Sequence, residues 1–386
     1  MQDHRPSEQN PRLGARIWCS IFQGPVVPRT DRERKWVVFN TLVLHLRPLR
    51  VPARTIRYTH TFGLGGMSLV LVLLLMGTGI LMMFAYVPSP GLAYDSVVSM
   101  QDEILFGRLV RAAHHWSANL LVLVALLHLL RVFLTGGFHG PRQFNWVVGL
   151  GLLFCVLVSN FTGYLLPWDQ LSYWAITICT EMVGYAPVVG EWLQRVIRGG
   201  TEIGPATMIS FYTVHTTVVP ALLIALMAWH FWRVRKAGGV VMPLEPGDDP
   251  EAKPTYVLFL PNLLLRETVV ALVLVAFVVV VAILFEAPLG AAANPGMSPD
   301  PAKAPWYFLG FQELLLHFHP LFAVFVIPLL AAVVGFYAYV KRRFDASNNE
   351  AIQSLFVLLL VAFALLTVTG VWFRGSGMAL EWPWNA

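Results

Sequence analysis

Seven apolar stretches separated by polar segments make up most of this chain. They lie at about 62–87, 112–134, 145–166, 208–232, 268–286, 318–340 and 352–373. Each is near or above the roughly 20 residues that an α-helix needs to cross a bilayer. The pattern therefore predicts an all-α membrane protein in which a four-helix bundle is followed by three further transmembrane helices.

The polar segments divide the chain into four predicted parts. Residues 1–60 form a basic extension that includes a surface helix and lacks the apolar core of a signal peptide, so we expect it to be retained. Residues 61–235 carry the four-helix domain, and residues 267–386 carry the three-helix domain. Between the two domains, residues 236–266 form a connector rich in proline and charge.

The distribution of charge predicts how the helices are oriented. A mean hydropathy of +0.63 with 13% charged residues excludes an ordinary soluble protein. Most of the 27 lysines and arginines lie in the N-terminal extension and after the second, fourth and sixth apolar stretches. The positive-inside rule then puts the N-terminus on the negative (n) side of the membrane and the C-terminus on the positive (p) side. The net charge of +5 follows from this topology and is no evidence for nucleic-acid binding.

Four histidines in two pairs carry the main chemical signal. His114 and His128 are fourteen residues apart on the second apolar stretch, and His215 and His230 are fifteen apart on the fourth. Both spacings amount to roughly four helical turns, or about 21 Å, so the members of each pair share nearly the same helix face. A histidine in a membrane helix is costly and indicates function, although a single one is also explained by a hydrogen bond to a neighbouring backbone.

The matched spacing predicts two metal centres stacked across the membrane. Because the two helices run in the same direction, His114 lies opposite His215 near the p side, and His128 lies opposite His230 toward the n side. An imidazole on each side of an iron leaves no open coordination position. Such centres suit electron transfer rather than oxygen chemistry.

Glycines repeat at the interval of the histidines. Gly65 and Gly79 on the first stretch, and Gly149 and Gly163 on the third, are each fourteen residues apart. A flat macrocycle between helices needs places where the neighbouring backbone has no Cβ, and these glycines would provide one level in each half of the membrane. The alternative is that they serve close helix packing, as glycine often does in membranes.

Two arginines lie one helical turn from histidines. Arg111 precedes His114 by three residues, and Arg131 follows His128 by three. These positions predict cationic partners for heme propionates at the mouths of the two sites. Snorkelling of the arginines to the membrane surface is the alternative explanation.

The segments around these residues resemble the cytochrome b/b6 family, the membrane core of quinol–cytochrome c and quinol–plastocyanin oxidoreductases. The resembling segments are residues 111–118, 128–138, 162–170 and 211–216. They are similar to parts of the family's second helix, its p-side quinol loop and its fourth helix. The fifteen-residue offset favours the cytochrome b6 branch, and the last three stretches resemble subunit IV of a b6f-type complex. Over roughly 60–373, the chain thus resembles both subunits in one polypeptide.

The resemblance implies an enzyme subunit with two non-covalent hemes b that oxidises quinol on the p side and reduces quinone on the n side. One electron from quinol would pass to a Rieske-type iron–sulfur protein and a c-type cytochrome, and the other would cross the two hemes while protons are translocated. The setting would be a homodimeric multi-subunit complex in the lipid of an energy-transducing, bacterial inner membrane. The candidate residues are Pro167, Trp168, Trp306, Tyr307, Asp300 and Glu313 for quinol oxidation, and Arg235 and Lys236 for quinone reduction.

The sequence departs from the family at two positions. The quinol-oxidation motif Pro-Glu-Trp-Tyr is here residues 304–307, with Pro305 in place of the glutamate that accepts a proton. Asp300, Glu313 and His317 are the candidates to replace it, because a general base must reach the quinol hydroxyl. The alternative is that this p-side pocket binds quinol differently or poorly. Gly63 occupies the position of a cysteine that holds an extra n-side heme in cytochrome b6. A covalent third heme is therefore not expected by that route, although small residues there leave space for a quinone.

Two other functions compete with this one. A diheme cytochrome that only conducts electrons for another oxidoreductase remains open, because the motif glutamate is missing. A transporter with a histidine proton relay would show unpaired charges in several helices or an inverted repeat, and neither is visible in the sequence. The repeated glycines would also have no explanation in a transporter.

Overall fold

The structure is a computed structural model that describes residues 13–21, 30, 50–242, 254–322, 329, 332–333, 339 and 346–382. Its α-helices are Leu13–Ile21 (α1), Tyr58–Thr61 (α2), Leu64–Met83 (α3), Ala93–Asp102 (α4), Gly107–Leu134 (α5), Gln143–Leu165 (α6), Gln170–Gly184 (α7), Gly190–Arg198 (α8), Pro205–Lys236 (α9), Phe259–Leu284 (α10), Trp306–His317 (α11) and Ala346–Trp372 (α12). Two short antiparallel strands, Arg50–Pro52 (β1) and Tyr256–Leu258 (β2), pair with Arg50 opposite Leu258.

Among the described residues, five helices are long and apolar enough to cross a membrane: α3, α5, α6, α9 and α10. They confirm the predicted all-α membrane fold, and α12 coincides with the predicted seventh stretch. The predicted sixth stretch, 318–340, lies mostly outside the described residues. Helix α10 begins at Phe259, inside the predicted connector. The hydropathy pattern misses its early turns because they contain charged residues such as Arg266 and Glu267. The boundaries of the four predicted parts remain predictions.

The middle of the bundle is a continuous apolar core. Helix α3 packs against α5, α6 against α9, and α10 against α3 and α5, while α11 pairs with α12. The core lies between the two levels of histidine and includes Leu71, Val122, Cys155, Val156 and Leu223, all buried. Lipid is as apolar as these side chains, so close packing rather than exclusion of water must hold them together.

Helix α9 contains one π turn at Val214–Val218, in which the N–H of Val219 bonds to the carbonyl of Val214. Pro220 explains the turn, because proline lacks an N–H and its ring would clash with the carbonyl four residues earlier. A π turn accommodates one extra residue. The fifteen residues from His215 to His230 therefore turn through nearly the same angle as the fourteen residues between the histidines of α5.

Helices α7 and α8 form a hairpin that closes one end of the bundle. We call this the upper end, which carries His114 and His215, and the opposite end, which carries His128 and His230, the lower end. Arg198, 4% exposed, holds the hairpin together. Its Nε donates to Oγ1 of Thr180 at 2.8 Å, and its Nη2 donates to Oε1 of Glu181 at 2.9 Å. The long segment between α6 and α9 is therefore a packed structure rather than an open loop.

Candidate functional site

The structure brings the four histidines together in the two pairs that the sequence predicts. The ring centroids of His114 and His215 are 6.2 Å apart, and those of His128 and His230 are 6.4 Å apart. An imidazole nitrogen lies about 2 Å from a metal that it binds, so two rings on opposite sides of one iron have centroids about 6 Å apart. Both pairs therefore have the separation that a six-coordinate heme iron requires.

Hydrogen bonds fix the tautomer of the upper pair. Nδ1 of His215 donates to the carbonyl of Ser159 at 3.0 Å. Oγ1 of Thr78 donates its one proton to the carbonyl of Leu74, so at 2.9 Å it accepts from Nδ1 of His114. Each Nδ1 therefore carries the proton, and each Nε2 keeps a lone pair for a metal. The sequence did not single out Thr78 or Ser159, since a single hydroxyl or backbone carbonyl has no periodic signal.

Each of the four repeated glycines lies against the edge of one imidazole. The distances from an ideal Cβ on the glycine to Cε1 of the ring are 3.3 Å for Gly65 and His128, 3.3 Å for Gly79 and His114, 3.5 Å for Gly149 and His230, and 2.5 Å for Gly163 and His215. The glycines share the period of the histidines because one glycine faces each ring. The structure thus shows that these glycines let the imidazoles approach the backbone, whereas the space for a macrocycle stays a prediction.

The cationic candidates differ in their partners. Arg111 is buried and donates to the carbonyls of Ala287 at 2.8 Å and Pro288 at 2.7 Å, which ties α5 to the segment after α10. At the lower end, Nε of Arg131 and Nη1 of Arg235 are buried without a hydrogen-bond partner among the described residues. Lys236, also predicted at this end, is half-buried at the end of α9. The lower arginines have donors left for an anionic group, whereas Arg111 is already bound to the protein.

Asp169 joins the two long segments of the upper end, which the sequence marked as candidate binding loops. Its Oδ1 accepts from the N–H of Ser172 and its Oδ2 from the N–H of Gly290, both at 2.9 Å. The next residue, Gln170, donates its N–H to the carbonyl of Ala291 at 2.8 Å. The predicted quinol loop is therefore fixed against the segment that leads into α11.

Trp168 of this loop is buried and has a left-handed backbone with φ 52°, a conformation that is strained for a residue with a side chain. Such strain persists only where the surroundings hold it, and it is frequent at binding sites. Pro167, half-buried, links Trp168 to the end of α6. These two candidates thus occupy a rigid turn rather than a free loop.

Trp306 and Tyr307 open α11 and lie against the histidine-bearing bundle. Nε1 of Trp306 donates to Oδ1 of Asn119 on α5 at 2.7 Å. Tyr307 is 8% exposed within the central apolar core, and this burial raises the pKa of its hydroxyl. The ring of Phe308 meets that of Phe161 on α6 edge-on at 6.4 Å. Asn119 was not predicted as a site residue, although a polar residue within an apolar stretch indicates a specific contact.

All three residues predicted to replace the motif glutamate already have hydrogen-bond partners. Glu313 is 2% exposed and binds Arg374 through both oxygens, with Nε donating to Oε2 at 3.0 Å. Nε2 of His317 also donates to Oε1 of Glu313 at 3.2 Å. The Arg374 guanidinium holds the pKa of Glu313 below its ordinary value, so this carboxylate is a poor proton acceptor. Asp300 accepts a hydrogen bond from the N–H of Gly377.

Val270 of α10 lies beside Gly63, the position that corresponds to the heme-binding cysteine of cytochrome b6. Gly63 caps α3 with φ 68°, and a Cβ there would lie 3.2 Å from Cγ1 of Val270 on α10. A side chain at this position would have to displace Val270 and adopt a left-handed backbone. The approach of Val270 and the left-handed backbone both favour glycine at this position, and the space for a quinone stays a prediction.

Helices of membrane-spanning length with two levels of paired, partly buried histidines define a membrane electron-transfer protein of the b-cytochrome class. The family model described as "Cytochrome b/b6/petB" matches residues 51–238. The chain is similar to cytochrome b6 of a Synechococcus strain, with 43% identity over 175 residues, which cover 45% of this chain and 80% of that protein. Cytochrome b6 of Gloeobacter violaceus is 45% identical over 176 residues, or 45% of this chain and 81% of the relative.

The fold is also similar to a solved chain of a "Hyperthermophilic respiratory Complex III". The TM-score is 0.73 with 25% sequence identity, and the match covers 88% of this chain and 89% of the other. The similarity thus extends beyond the four helices that match cytochrome b6. This chain belongs to the cytochrome b/b6 family, whose members are electron-transport proteins that bind heme b.

Replacing Arg374 by glutamine should destabilise the protein in a pH-dependent way. The variant leaves Glu313 buried without its cation, which should cost about 3 kcal/mol of unfolding free energy at pH 7. Because Arg374 lowers the pKa of Glu313, its contribution is complete above the ordinary glutamate pKa of about 4.3 and is lost as pH falls through the lowered value. Thermal unfolding in detergent, followed by circular dichroism at pH 7 and below pH 4, measures the difference.

Arg108→Gln is the matched control for this prediction. Arg108 also binds two carboxylates, Asp102 at 2.9 Å and Glu286 at 2.8 Å, but about half of its side chain is exposed. Exposed ion pairs contribute little, so this variant should unfold like the parent protein. Equal losses in the two variants, or a loss in Arg374→Gln that does not shrink at acidic pH, would contradict the buried ion pair.

Proposed function

We propose that this protein is the diheme b-type cytochrome subunit of a quinol:cytochrome c oxidoreductase. The observation that carries the proposal is the pair of histidine separations, 6.2 and 6.4 Å, each with two glycines against the rings. The relatives support the same function, since they are cytochrome b6 proteins and a chain of a respiratory Complex III. A histidine proton transporter would not need two rings held at the separation of a shared metal.

The residues present fit two non-covalent hemes b. His114 with His215 would hold one heme and His128 with His230 the other, each through Nε2. Bound there, the hemes would supply one-electron transfer between the two ends of the bundle. Arg131 is the better propionate partner, because its Nε has no partner in the part of the chain that the structure describes, whereas Arg111 is already bound to backbone carbonyls.

Quinol would bind at the upper end, between the turn at Pro167 and Trp168 and the start of α11 at Trp306 and Tyr307. The buried Tyr307 offers a hydroxyl in an apolar wall, and the rigid turn excludes water from one side. Pro305 replaces the motif glutamate, and Glu313 is ion-paired with Arg374. The proton released by quinol would therefore pass to His317, to Asp300 or to water at the surface.

The proposed orientation puts the upper end on the p side and the N-terminus on the n side. The cluster Arg233, Arg235 and Lys236 at the lower end supports it, as basic residues stay on the negative side. Arg235 and Lys236 would then be the cationic groups at a quinone-reduction site. The partners of this arrangement would be a Rieske-type iron–sulfur protein, a c-type cytochrome and a second copy of the complex.

The purified complex should contain two b-type hemes per chain, and His215→Ala should remove one of them. The lost heme is the upper one, because alanine offers no ligand opposite His114. Pyridine hemochrome analysis with a redox titration measures the number of hemes and their midpoint potentials. Fewer than two hemes in the parent protein, or two in the variant, would overturn the diheme assignment.

Gly163→Ala should lower the occupancy of the upper heme without removing a ligand. Its Cβ would lie 2.5 Å from Cε1 of His215, closer than real contacts allow, so the imidazole must turn out of position. Gly66→Ala is the matched control, since no atom of the described residues lies within 4 Å of a Cβ there. The heme-to-protein ratio should fall toward one in the first variant and stay at two in the second. Equal ratios would show that the approach of Gly163 to His215 is unimportant.

The parent complex should reduce a c-type cytochrome with quinol as donor, and quinone analogues that bind at the upper end should inhibit it. Tyr307→Phe should lower the rate, whereas Tyr256→Phe, an exposed tyrosine on β2, should not. Steady-state reduction of the cytochrome measures both. If quinol reduces the hemes but no electron reaches the cytochrome, the chain is instead a diheme conduit for another oxidoreductase. That function is an alternative because Pro305 replaces the motif glutamate.

A further inference from the structure

Asn119 connects the histidine-bearing helix α5 to the start of α11. Its Nδ2 donates to the carbonyl of His115 at 2.9 Å, and its Oδ1 accepts from Nε1 of Trp306 at 2.7 Å. An indole N–H can only donate and a carbonyl can only accept, so the amide has one possible orientation. Asn119 lies between His114 and His128 on α5, in an otherwise apolar stretch.

The start of α11 is a stiff unit on which this hydrogen bond acts. Oε1 of Gln312 accepts from the N–H of Ala304 at 2.7 Å, and its Nε2 donates to the carbonyl of Ala302 at 2.6 Å. The segment that precedes Trp306 is thereby folded back onto its own helix. A shift of the Trp306 ring must then move the helix start and the adjacent Tyr307.

The membrane surroundings raise the free-energy cost of losing this hydrogen bond. Within a membrane, a polar group that loses its partner cannot turn to water, and an unsatisfied buried donor is costly. A change in the position of Asn119 would therefore move the indole of Trp306. The distance between α11 and the upper histidine pair would change as a result. The reaction of a bound substrate can slow about 100-fold when the groups that position it move by about 1 Å.

We propose that Asn119 is a positioning residue for quinol oxidation, which holds Trp306 and Tyr307 at a fixed place relative to the His114–His215 pair. The inference rests on the proposed function and adds a residue that touches neither metal nor substrate. Asn119 acts through Trp306. Its loss should therefore slow the reaction of bound quinol while the hemes and the affinity for quinol are retained.

Asn119→Leu, similar in size but without polar atoms, tests the inference in the purified complex. We expect kcat for quinol:cytochrome c reduction to fall on the order of 10-fold or more, with KM within about threefold of the parent value. Asn119→Asp should restore most of the rate, because a protonated carboxyl has the same donor and acceptor as the amide. Asn160→Leu on α6 is the control, as the Asn160 amide donates back to Val156 at 2.9 Å within its own helix.

A double-mutant cycle separates action through Trp306 from an independent effect. Trp306→Phe should lower kcat, and the double variant with Asn119→Leu should be no slower than the slower single variant. Heme content and the two midpoint potentials should remain those of the parent complex in Asn119→Leu. This combination distinguishes a positioning residue from one that only stabilises the fold.

Three outcomes would overturn the inference while leaving the proposed function intact. They are an unchanged kcat in Asn119→Leu, a loss of heme in that variant, and single effects that multiply in the double variant. A parent complex with two hemes but no quinol oxidation would instead refute the proposed function, and the inference with it.

Discussion

The separation of the two imidazole rings within each histidine pair is the constraint on which the architecture of this protein depends. The ring centroids lie 6.2 and 6.4 Å apart at two levels, which the fourteen-residue spacing on α5 separates by about 21 Å. Helices α5 and α9 must therefore run in the same direction with matched pitch. The π turn before Pro220 supplies that match, since it absorbs the extra residue between His215 and His230. Glycines on α3 and α6 then let the rings approach the neighbouring backbones.

The two ends of the bundle differ in their chemistry although their histidine pairs are alike. At the upper end, Asp169, Arg111 and Asn119 hydrogen-bond across elements that are distant in sequence, and the Arg374–Glu313 pair fixes α11 to the C-terminal end of α12. This network makes a rigid wall where the proposed function needs a bound donor to be placed accurately. At the lower end, Arg131 and Arg235 each have a donor without a partner among the described residues, which suits anionic groups.

Much of the fold could be predicted because a membrane restricts the chain to a few signals. Apolar stretches of about 20 residues indicate helices, and four of the first five spans differ from the predicted bounds by only a few residues. The exception is α10, whose early turns carry Arg266 and Glu267. Histidine spacing indicates the pairing, because a helix repeats its faces regularly. The approach of the glycines to the imidazoles was not predicted, since a spacing shows a shared period but not which atoms meet.

The sequence by itself determined the class of the protein and which histidines can share a face. These properties depend on composition and local periodicity. The tertiary structure decided which polar groups are still available for chemistry. Glu313 looked like a candidate proton acceptor until Arg374, 61 residues later, was found bound to both of its oxygens. Arg111 likewise turned out to be bound to carbonyls beyond α10. Hydrogen bonds between distant residues have no period along the chain, so only the folded arrangement reveals them.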